Sequence, residues 1–247
     1  MINMTQNIED LYIKFLDIKD RGWIRTFKSG FNGSGYTFET LLGIKENYLD
    51  LPDYEGIEIK TQKKNGTGKI ALLNINPKAQ KGDAIEIILN KLGYPDRDYP
   101  DYKVFNVSLY ANEIKKCGNN YISINVNDRM KRIELCIQDY EKNELDLDVH
   151  WPYALIQERL YKKLTFLAVI KYEEKEEEAK YIRYDQINVY KFKSFYHFIK
   201  LMKKGKIRIS FKIGLHKDGE LLGQTYNRGI SFDVFNDDLE EMFKKVL

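Results

Sequence analysis

The sequence predicts a mixed α and β fold, built as one large domain or as two closely joined lobes. The chain has 247 residues, of which 43% are hydrophobic, and a chain of this size can bury a substantial core. Segments with apolar residues at helical spacing and segments with period-two alternation follow one another along the chain. Because long antiparallel stretches dominate the second half, we expect an α/β or α+β core with appended β-arms.

The N-terminal segment predicts a helix that is followed by a glycine-rich loop. Residues 6–20 place four apolar side chains at helical spacing, and Gly22 ends this helix. Residues 25–36 form a loop that is either a flexible connector or a cradle for a phosphate. Thr37 is then predicted to cap a short helix, with Phe38 on its apolar side.

The next segment predicts a β-hairpin. Residues 57–61 read as a strand, and the basic turn at 63–69 contains Asn65-Gly66, which is a hairpin signal. Residues 70–74 read as the partner strand. The expected geometry is therefore a two-stranded ribbon with cations at its tip.

The rest of the chain predicts further helices and strands. Helices are expected at 82–92, from Pro152 to about Leu164, at 195–203 with Ser194 as its cap, and after a cap at Asn236 or Asp237. Strands are expected at 103–110, 121–126, 130–137, 166–172, 207–213 and 230–235, with a hairpin at 214–228. Residues 173–178 are expected to form a solvated acidic turn, and Val246 to lie on the apolar side of the last helix.

Residues 52–60, Pro-Asp-Tyr-Glu-Gly-Ile-Glu-Ile-Lys, carry the most specific chemical pattern. Alternation in a strand places Glu58 and Lys60 on one face, roughly 7 Å apart, while a turn can fold Asp53 back toward Glu58. Two hard oxygen ligands favour Mg²⁺, and an adjacent ammonium can orient or deprotonate a water molecule. The pattern is typical of metal-dependent phosphodiester hydrolysis. The ordinary alternative is an edge strand with a solvated Glu and Lys on its wet face.

Charge limits where a nucleic acid could bind. The net charge is only +3, so a nucleic-acid surface must be a local patch. Lys63, Lys64 and Lys69 are predicted to contact a nucleic-acid backbone near the reacting phosphodiester, and Arg25 and Lys28 to contact it farther away. For each of these cations the alternative is a solvated surface charge.

Cysteine and histidine usage predicts an intracellular protein without zinc. Cys117 and Cys136 lack metal-binding spacing and are predicted to be free thiols in a reducing cytoplasm. His150, His197 and His216 are scattered along the chain. The first ten residues show no apolar signal core, and no stretch approaches the length of a membrane-spanning helix. We therefore expect a cytoplasmic protein that makes no membrane contact.

Two segments carry a resemblance to a known family. Residues 35–42, Gly-Tyr-Thr-Phe-Glu-Thr-Leu-Leu, and residues 47–61, which include the pattern above, resemble the MvaI/BcnI-type restriction endonucleases. They are more remotely similar to the MutH-like branch of the PD-(D/E)xK nuclease superfamily. The resemblance resumes at residues 161–169, 209–214 and 225–232. It extends over about the whole chain and is least clear at 75–150.

The resemblance implies a monomeric PD-(D/E)xK nuclease with a DNA cleft between two lobes. Such an enzyme cleaves double-stranded DNA with Mg²⁺ and leaves 5′-phosphate and 3′-hydroxyl ends. The family's catalytic residues fall on Asp53, Glu58 and Lys60, with the carbonyl of Ile59 as a further metal ligand. The family's helix-borne glutamate falls on Glu39, as a ligand or water orienter, where the alternative is an ordinary exposed residue. Nearby positive charge is expected to lower the pKa of Lys60.

The resemblance places base reading on the C-terminal arm. The positions concerned are Arg208, Ser210, Lys212, Tyr226, Asn227, Arg228 and Asp233. Relatives carry an acidic residue and an arginine at Ser210 and Lys212, histidines at Tyr226 and Arg228, and an arginine near Asp233. The target sequences of relatives therefore do not transfer to this chain. By side-chain chemistry, Arg228 or Lys212 suits guanine, and Asn227 suits adenine.

The predicted organisation is a single endonuclease domain spanning 1–247. Its catalytic lobe covers about 1–150, and its recognition lobe covers 151–247 with the β-hairpin arm. A cognate methyltransferase is a possible partner in the same system, without a stable complex. Three alternatives stay open: a strand-nicking repair endonuclease, a DNA-binding module without catalysis, and a nuclease for RNA or single strands.

Overall fold

The computed structural model describes residues 4–30, 32–44, 51–145, 147–227 and 229–247. The helices are α1 (Met4–Asp20), α2 (Gly33–Leu41), α3 (Ala84–Leu92), α4 (Tyr153–Lys163), α5 (Phe195–Lys203) and α6 (Asn236–Met242), with a 3₁₀ turn at Gly219–Leu221. The first nine strands are β1 (Ile24–Arg25), β2 (Ile57–Lys63), β3 (Lys69–Asn74), β4 (Tyr94–Pro95), β5 (Lys103–Val104), β6 (Ser108–Tyr110), β7 (Ile114–Cys117), β8 (Asn120–Asn127) and β9 (Arg132–Gln138). The others are β10 (Glu144–Leu145), β11 (His150–Pro152), β12 (Phe166–Glu176), β13 (Lys180–Phe192), β14 (Ile207–Ser210), β15 (Ile213–Leu215), β16 (Thr225–Asn227), β17 (Ser231–Phe235) and β18 (Phe243–Lys245). The predicted mixed α and β class is confirmed.

The chain divides into two compact units, each assembled from separate stretches of sequence. The first unit comprises Met1–Ile70, Arg159–Ser194 and Phe235–Leu247, and the second comprises Ala71–Glu158 and Phe195–Val234. The units therefore alternate along the chain. The lobes predicted at 1–150 and 151–247, with their catalytic and recognition roles, stay a prediction.

A five-stranded sheet organises the first unit. Its strand order is β1-β13-β12-β2, and β18 also pairs with β13. Strands β12 and β13 form a long antiparallel pair, whereas β2 runs parallel to β12, with Ile57 opposite Phe166 and Lys63 opposite Tyr172. The start of β2 therefore lies beside the start of β12, which α4 immediately precedes in the chain.

Helices α1 and α2 contribute to the same apolar core as this sheet. The core combines Leu11, Phe15, Ile18, Phe38, Leu42, Ile57, Ile59, Ala168, Ile170, Tyr172, Ile182, Tyr184, Ile187 and Val189. Burial of each large aliphatic side chain contributes roughly 1.5–3 kcal/mol. Ile57 and Ile59 face this core, as the alternation in β2 predicts. The opposite face of β2 is thereby left to Glu58 and Lys60.

The predicted hairpin of β2 and β3 is wrong. The local turn exists, since the Gly66 N–H donates to the Lys63 carbonyl at 3.0 Å, but β3 pairs with β17 in a different sheet. Gly68 adopts a φ of 73°, and its carbonyl accepts the Asn236 N–H at 3.0 Å. The chain thus turns away after the basic turn, and among the described strands β2 pairs with β12.

The predicted cap at Thr37 is also wrong. Helix α2 begins at Gly33 and is preceded by Asn32, so part of the predicted glycine-rich loop is helical. The Thr37 hydroxyl accepts the N–H of Phe27 at 3.0 Å instead. Thr37 is buried and ties the helix to the segment before it.

The acidic segment after β12 differs from its prediction as well. Strand β12 continues through Glu176, and the bend lies at 177–179. Glu173 and Glu174 are therefore strand residues opposite Arg183 and Ile182 on β13. Strand β13 was not predicted, because its charged residues interrupt the apolar alternation that is typical of a strand.

The last helix is shorter than predicted. Phe235 is its N-cap residue, rather than Asn236 or Asp237, and the helix ends at Met242. The chain then continues as β18 against β13. Val246 is 44% exposed and does not lie on a buried helical face.

The second unit contains the remaining sheets and an aromatic core. One sheet has the order β10-β9-β8-β7, with β11 also on β9, and another has the order β3-β17-β14-β6. Trp151 packs edge-on against Phe211 and Phe232, and its indole N–H donates to the Ile75 carbonyl at 2.9 Å. The predicted burial of Ile207, Ile209, Phe211 and Ile213 is confirmed.

Several smaller predictions are confirmed. The helix predicted at 82–92 is confirmed as α3, which Asp83 caps by accepting the N–H groups of Ile85 and Glu86 and which ends before Gly93. The hairpin at 214–228 exists as β15 and β16. Cys117 and Cys136 are free thiols. Within the described residues, no helix is long and apolar enough to cross a membrane.

Candidate active site

A tight turn returns Asp53 to the strand that carries Glu58 and Lys60. Tyr54 and Ile57 exchange two backbone hydrogen bonds, of 3.0 and 2.7 Å. Between them Glu55 and Gly56 have φ values of 44° and 86°, as in the primed turns that favour glycine. The Asp53 carboxylate Oδ2 then accepts the N–H of Ile59 at 2.8 Å. The predicted approach of Asp53 to this strand is confirmed.

Glu58 and Lys60 lie on the same face of β2, as alternation predicts. The Lys60 ammonium donates to Glu58 Oε1 at 2.5 Å. The two side chains differ in environment, because that of Lys60 is 32% exposed and that of Glu58 only 2% exposed. The ordinary alternative, a solvated Glu on a wet strand face, is therefore wrong for Glu58.

The buried Glu58 carboxylate has one oxygen that the described protein does not satisfy. Among the described residues, Glu58 Oε2 has no hydrogen-bond donor within reach. Burial raises the pKa of Glu58 above its ordinary value, and the charge of Asp53 adds to this effect, while Lys60 and Lys163 oppose it. A buried carboxylate oxygen without a partner costs free energy, so this position favours a cation or a proton.

The pKa of Lys60 shifts in the direction opposite to the prediction. Burial by itself lowers the pKa of this ammonium, but Glu58, Asp53 and Glu39 outweigh burial and raise it above its ordinary value. The prediction assumed neighbouring positive charge, whereas the carboxylates near Lys60 determine the direction of the shift. The raised pKa of Lys60 favours its charged ammonium form.

Lys163 is a second cation at Glu58, and it was not among the predicted site residues. Its ammonium lies 3.5 Å from Glu58 Oε1. Lys163 is the last residue of α4, and β12 starts three residues later beside the start of β2. The only sequence signal for Lys163 was its place in the resembling stretch 161–169, because the parallel pairing that brings it to Glu58 is not visible locally.

A cavity of about 360 Å³ opens next to Lys60. Its lining residues are Lys28, Asn32, Ser34, Gly35, Tyr36, Glu39, Ile59, Lys60, Thr61 and Tyr172. The structure therefore brings Glu39 to the site, as predicted, and also brings Lys28, whose ammonium lies 5.0 Å from the centre of the Tyr36 ring. The start of α2 and the edge strand β2 form the walls of this cavity.

Other predicted DNA-backbone cations are occupied by acidic neighbours. The Lys63 ammonium lies 2.7 Å from Glu174, and the Lys64 ammonium lies 3.2 Å from Glu173 and 2.9 Å from Asp185. These contacts raise the pKa of both lysines. The structure thus directs both ammonium groups to carboxylates of β12 and β13.

Lys69 and Arg25 lie at other places in the first unit. The Lys69 carbonyl accepts the side-chain N–H of Gln62 at 3.4 Å. Arg25 is an exposed residue of the short strand β1, opposite Tyr181 on β13. Neither residue lines the cavity next to Lys60.

The predicted reading residues of β14 and β17 form a buried polar cluster in the second unit. The Ser210 hydroxyl donates to Asp233 Oδ2 at 2.7 Å, and Arg208 lies 3.4 Å from the same oxygen. Ser210 and Asp233 are 3% and 0% exposed. The Lys212 ammonium donates to the Ser231 hydroxyl at 3.1 Å. These side chains are therefore held together by one another in the protein without DNA.

The reading residues of the hairpin are placed differently. Tyr226 is exposed, and its ring centre lies 4.7 Å from that of His216. Asn227 donates to the Asn76 side chain at 2.9 Å and accepts the Gly229 N–H at 2.9 Å. The prediction for Arg228 lies outside the described residues.

Comparison with known proteins identifies the family. The family model of the MvaI/BcnI restriction endonuclease family matches residues 13–243. The chain belongs to this family. A solved complex of restriction endonuclease MvaI with its cognate DNA substrate is 27% identical, has a TM-score of 0.88 and shares 96% of each chain. A structure of MvaI in the absence of DNA is 26% identical, has a TM-score of 0.63 and shares 100% of each chain. No curated protein matches this chain.

Membership of the MvaI/BcnI family confirms the fold and the broad activity that the resemblance implied. The chain is a type II restriction endonuclease that acts on DNA. The family also indicates a divalent metal requirement. The residues at the site fit such an ion, because Glu58 Oε2 is buried without a donor and Asp53 uses Oδ2 for the Ile59 N–H.

Asp53 and Glu58 are two neighbouring carboxylates that could hold such an ion. Within the described part of the chain, no group of three or more His, Cys, Asp or Glu residues could hold a metal. An ion at Asp53 and Glu58 would therefore keep several ligands from water, backbone carbonyls or substrate, as Mg²⁺ commonly does.

Proposed function

We propose that this restriction endonuclease cleaves double-stranded DNA at a specific sequence by Mg²⁺-dependent hydrolysis at Asp53, Glu58 and Lys60. The observation that carries this proposal is the buried Glu58 Oε2, which lacks a described hydrogen-bond donor and neighbours a second carboxylate. Although Lys60 and Lys163 lie near Glu58, two adjacent carboxylates at this site oppose the approach of a DNA phosphate. A module that only binds DNA gains nothing from such a pair, which argues against the non-catalytic alternative.

Asp53 and Glu58, together with the carbonyl of Ile59, are the proposed ligands of Mg²⁺. When bound, this ion supplies Lewis-acid polarisation of a phosphate oxygen and acidification of a coordinated water. Asp53 is held for this role by the Ile59 N–H, and Glu58 by Lys60 and Lys163. The protein thus orients both carboxylates before substrate arrives.

Lys60 is the proposed stabiliser of charge on the reacting phosphate. Its ammonium lines the cavity and contacts Glu58, which places it to orient a water molecule or to neutralise developing negative charge on the phosphate. Glu39, which lines the same cavity, is proposed to orient the attacking water. Lys163 is proposed to hold Glu58 in place.

The proposed DNA contacts divide into near and far groups. Lys28 lines the cavity and is the best placed of the predicted backbone contacts. Lys69 and Arg25 are proposed as more distant contacts. Lys63 and Lys64 are proposed to contact DNA only after a phosphate has replaced their acidic partners. The proposed base-reading residues remain Arg208, Ser210, Lys212, Tyr226, Asn227, Arg228 and Asp233.

The finer features of the reaction follow from the same proposal. Hydrolysis would leave 5′-phosphate and 3′-hydroxyl ends, and one monomer would act on its site with a catalytic and a recognition lobe. The enzyme would work in the cytoplasm beside a methyltransferase of matching specificity, without a stable complex between them.

Digestion of phage DNA and supercoiled plasmid with Mg²⁺, followed by end sequencing, tests the proposal. We expect discrete fragments with one shared end sequence, and linear plasmid rather than a persistent nicked circle. Accumulation of nicked circle alone would favour the strand-nicking alternative. Absence of cleavage of any DNA would overturn the proposal.

Variants test the assignment of residues. Asp53→Ala and Lys60→Ala are each expected to lower cleavage by about 10²–10⁴-fold while DNA binding stays measurable. Lys163→Ala is expected to lower cleavage about tenfold, because Glu58 keeps Lys60 as a partner. Glu86→Gln, at an exposed position on α3, serves as the control. Full activity of Lys60→Ala would remove Lys60 from the mechanism.

A further inference from the structure

The cavity next to Lys60 owes part of its space to a glycine. Gly35 is the third residue of α2 and lines the cavity together with Glu39 and Thr61. A Cβ atom built on Gly35 would lie 3.6 Å from Glu39 Oε1 and 3.6 Å from Thr61 Oγ1. These are ordinary van der Waals distances, so an alanine fits the protein itself at this position.

Gly33, in the same helical turn, is required for a different reason. A Cβ atom on Gly33 would lie 2.4 Å from the backbone carbonyl oxygen of Lys28, a separation that forces the backbone to move. Gly33 therefore serves the packing of the chain. Gly35 meets no such obstacle, and its φ is not in the left-handed region.

Packing inside the protein thus does not explain a glycine at position 35. A glycine inside a helix costs about 0.5–1 kcal/mol relative to alanine. Neither the backbone conformation nor a close contact offsets this cost. The remaining consequence of the missing side chain is the open volume between the Glu39 carboxylate and the Thr61 hydroxyl.

The start of α2 is fixed, so this volume cannot be recovered by a shift of the helix. The Tyr184 hydroxyl donates to the Ser34 carbonyl at 2.6 Å, and the hydroxyls of Ser34 and Thr61 lie 3.1 Å apart. Tyr184 is fully buried in the core of the first unit. A side chain added at position 35 would therefore enter the cavity.

We infer that Gly35 keeps this cavity open as the binding site for the sugar-phosphate backbone of DNA next to the reacting bond. The cavity has cations at Lys28 and Lys60 and hydroxyls at Ser34, Tyr36 and Thr61, which suit a phosphodiester and its sugar. Its volume of about 360 Å³ is within the usual range of ligand sites. This inference rests on the proposed function of the neighbouring carboxylates. Gly35 is a positioning residue, because its role is the room that it leaves.

Gly35→Ala is the decisive variant, with Gly33→Ala as the matched control. We expect Gly35→Ala to raise Tm by about 2–4 °C, because alanine favours the helix. The single-turnover cleavage rate at saturating enzyme is expected to fall on the order of a hundredfold, because the added methyl group displaces the reacting phosphate. The Kd for duplex DNA with Ca²⁺ should change little. Gly33→Ala is expected to lower Tm by about 5 °C.

A larger side chain extends the test. Gly35→Leu should abolish cleavage while retaining the folded circular dichroism spectrum and a measurable DNA affinity. Wild-type cleavage rates for both Gly35 variants would overturn the inference. A loss of Tm in Gly35→Ala equal to that in Gly33→Ala would also overturn it, since Gly35 would then serve packing. If the wild-type protein fails to cleave DNA, the proposed function itself fails, so the two failures are distinguishable.

Discussion

Two polar strand faces in this molecule look alike in sequence but differ in their chemistry. On β2, the buried carboxylate of Glu58 lies near a second carboxylate, that of Asp53. On β14 and β17, the buried Asp233 accepts from the Ser210 hydroxyl and lies near the Arg208 guanidinium. Each of these two carboxylates has one oxygen without a described hydrogen-bond donor, so the neighbouring carboxylate is what distinguishes the first face and calls for a cation from outside the protein. The first face is therefore organised for chemistry, and the second, without DNA, for structure.

The largest expected effect comes from Glu58→Gln. Loss of this proposed metal ligand should lower Mg²⁺-dependent cleavage by about a thousandfold or more. Burial raises the pKa of Glu58, so the folded state disfavours the ionised form, and this charge costs stability once pH rises above the ordinary pKa. The same substitution removes the carboxylate partner of Lys60, which costs stability, so the two effects oppose each other and the free energy of unfolding at pH 8 without metal should change little. Urea denaturation beside a single-turnover assay measures both, and a clear loss of stability would make Glu58 structural as well.

Asp233→Ala should show the opposite pattern. Removing this fully buried carboxylate from Ser210 and Arg208 is expected to cost about 3 kcal/mol of unfolding free energy. Asp218→Ala, at an exposed position in the same unit, should change stability by less than about 0.5 kcal/mol. Urea denaturation measures both changes in stability. An unchanged urea midpoint for Asp233→Ala would show that Asp233 has no structural role and would contradict the proposed difference between the two faces.

Divalent ions should act on the first face alone. At about ten times its Kd, Mg²⁺ or Ca²⁺ is expected to raise Tm of the wild-type protein without DNA by about 3–5 °C. The same ions should leave Tm of Glu58→Gln unchanged, while the increase should persist in Asp233→Asn. Differential scanning calorimetry in EDTA and in each metal provides the comparison. An equal increase in Glu58→Gln would place the ion elsewhere.

The smallest expected effect is on the salt dependence of DNA binding. It distinguishes a lysine that is paired with carboxylates from a lysine that lines the cavity. Lys64 is engaged by Glu173 and Asp185, so Lys64→Ala should change the slope of log Kd against log salt by less than about 0.5. Lys28→Ala should change it by about 0.9, the value for one phosphate contact. Fluorescence anisotropy with a duplex in Ca²⁺ measures the slopes. A change of about 0.9 for Lys64→Ala would show that DNA displaces its acidic partners.

Some of the local structure was predictable because it depends on neighbouring residues alone. The helix predicted at 82–92 and the shared face of Glu58 and Lys60 are both confirmed, since helical spacing and strand alternation involve only a few consecutive residues. The hairpin predicted for β2 and β3 failed although its turn residues were correct. Strand partners are chosen by burial across the whole chain, and β12 offered β2 a longer apolar partner.

The sequence by itself determined the spacing of Asp53, Glu58 and Lys60 and the face of β2 that Glu58 and Lys60 share. Through its resemblance to known enzymes, it also determined the family to which the chain belongs. Tertiary structure decided that Glu58 is buried with an oxygen lacking a described donor, and that Lys163 reaches it. It also decided that Lys64 faces acidic partners. The physical reason is that burial and charge at a site are set by the strands that pair there, and the pairing of β2 with β12 joins segments about a hundred residues apart.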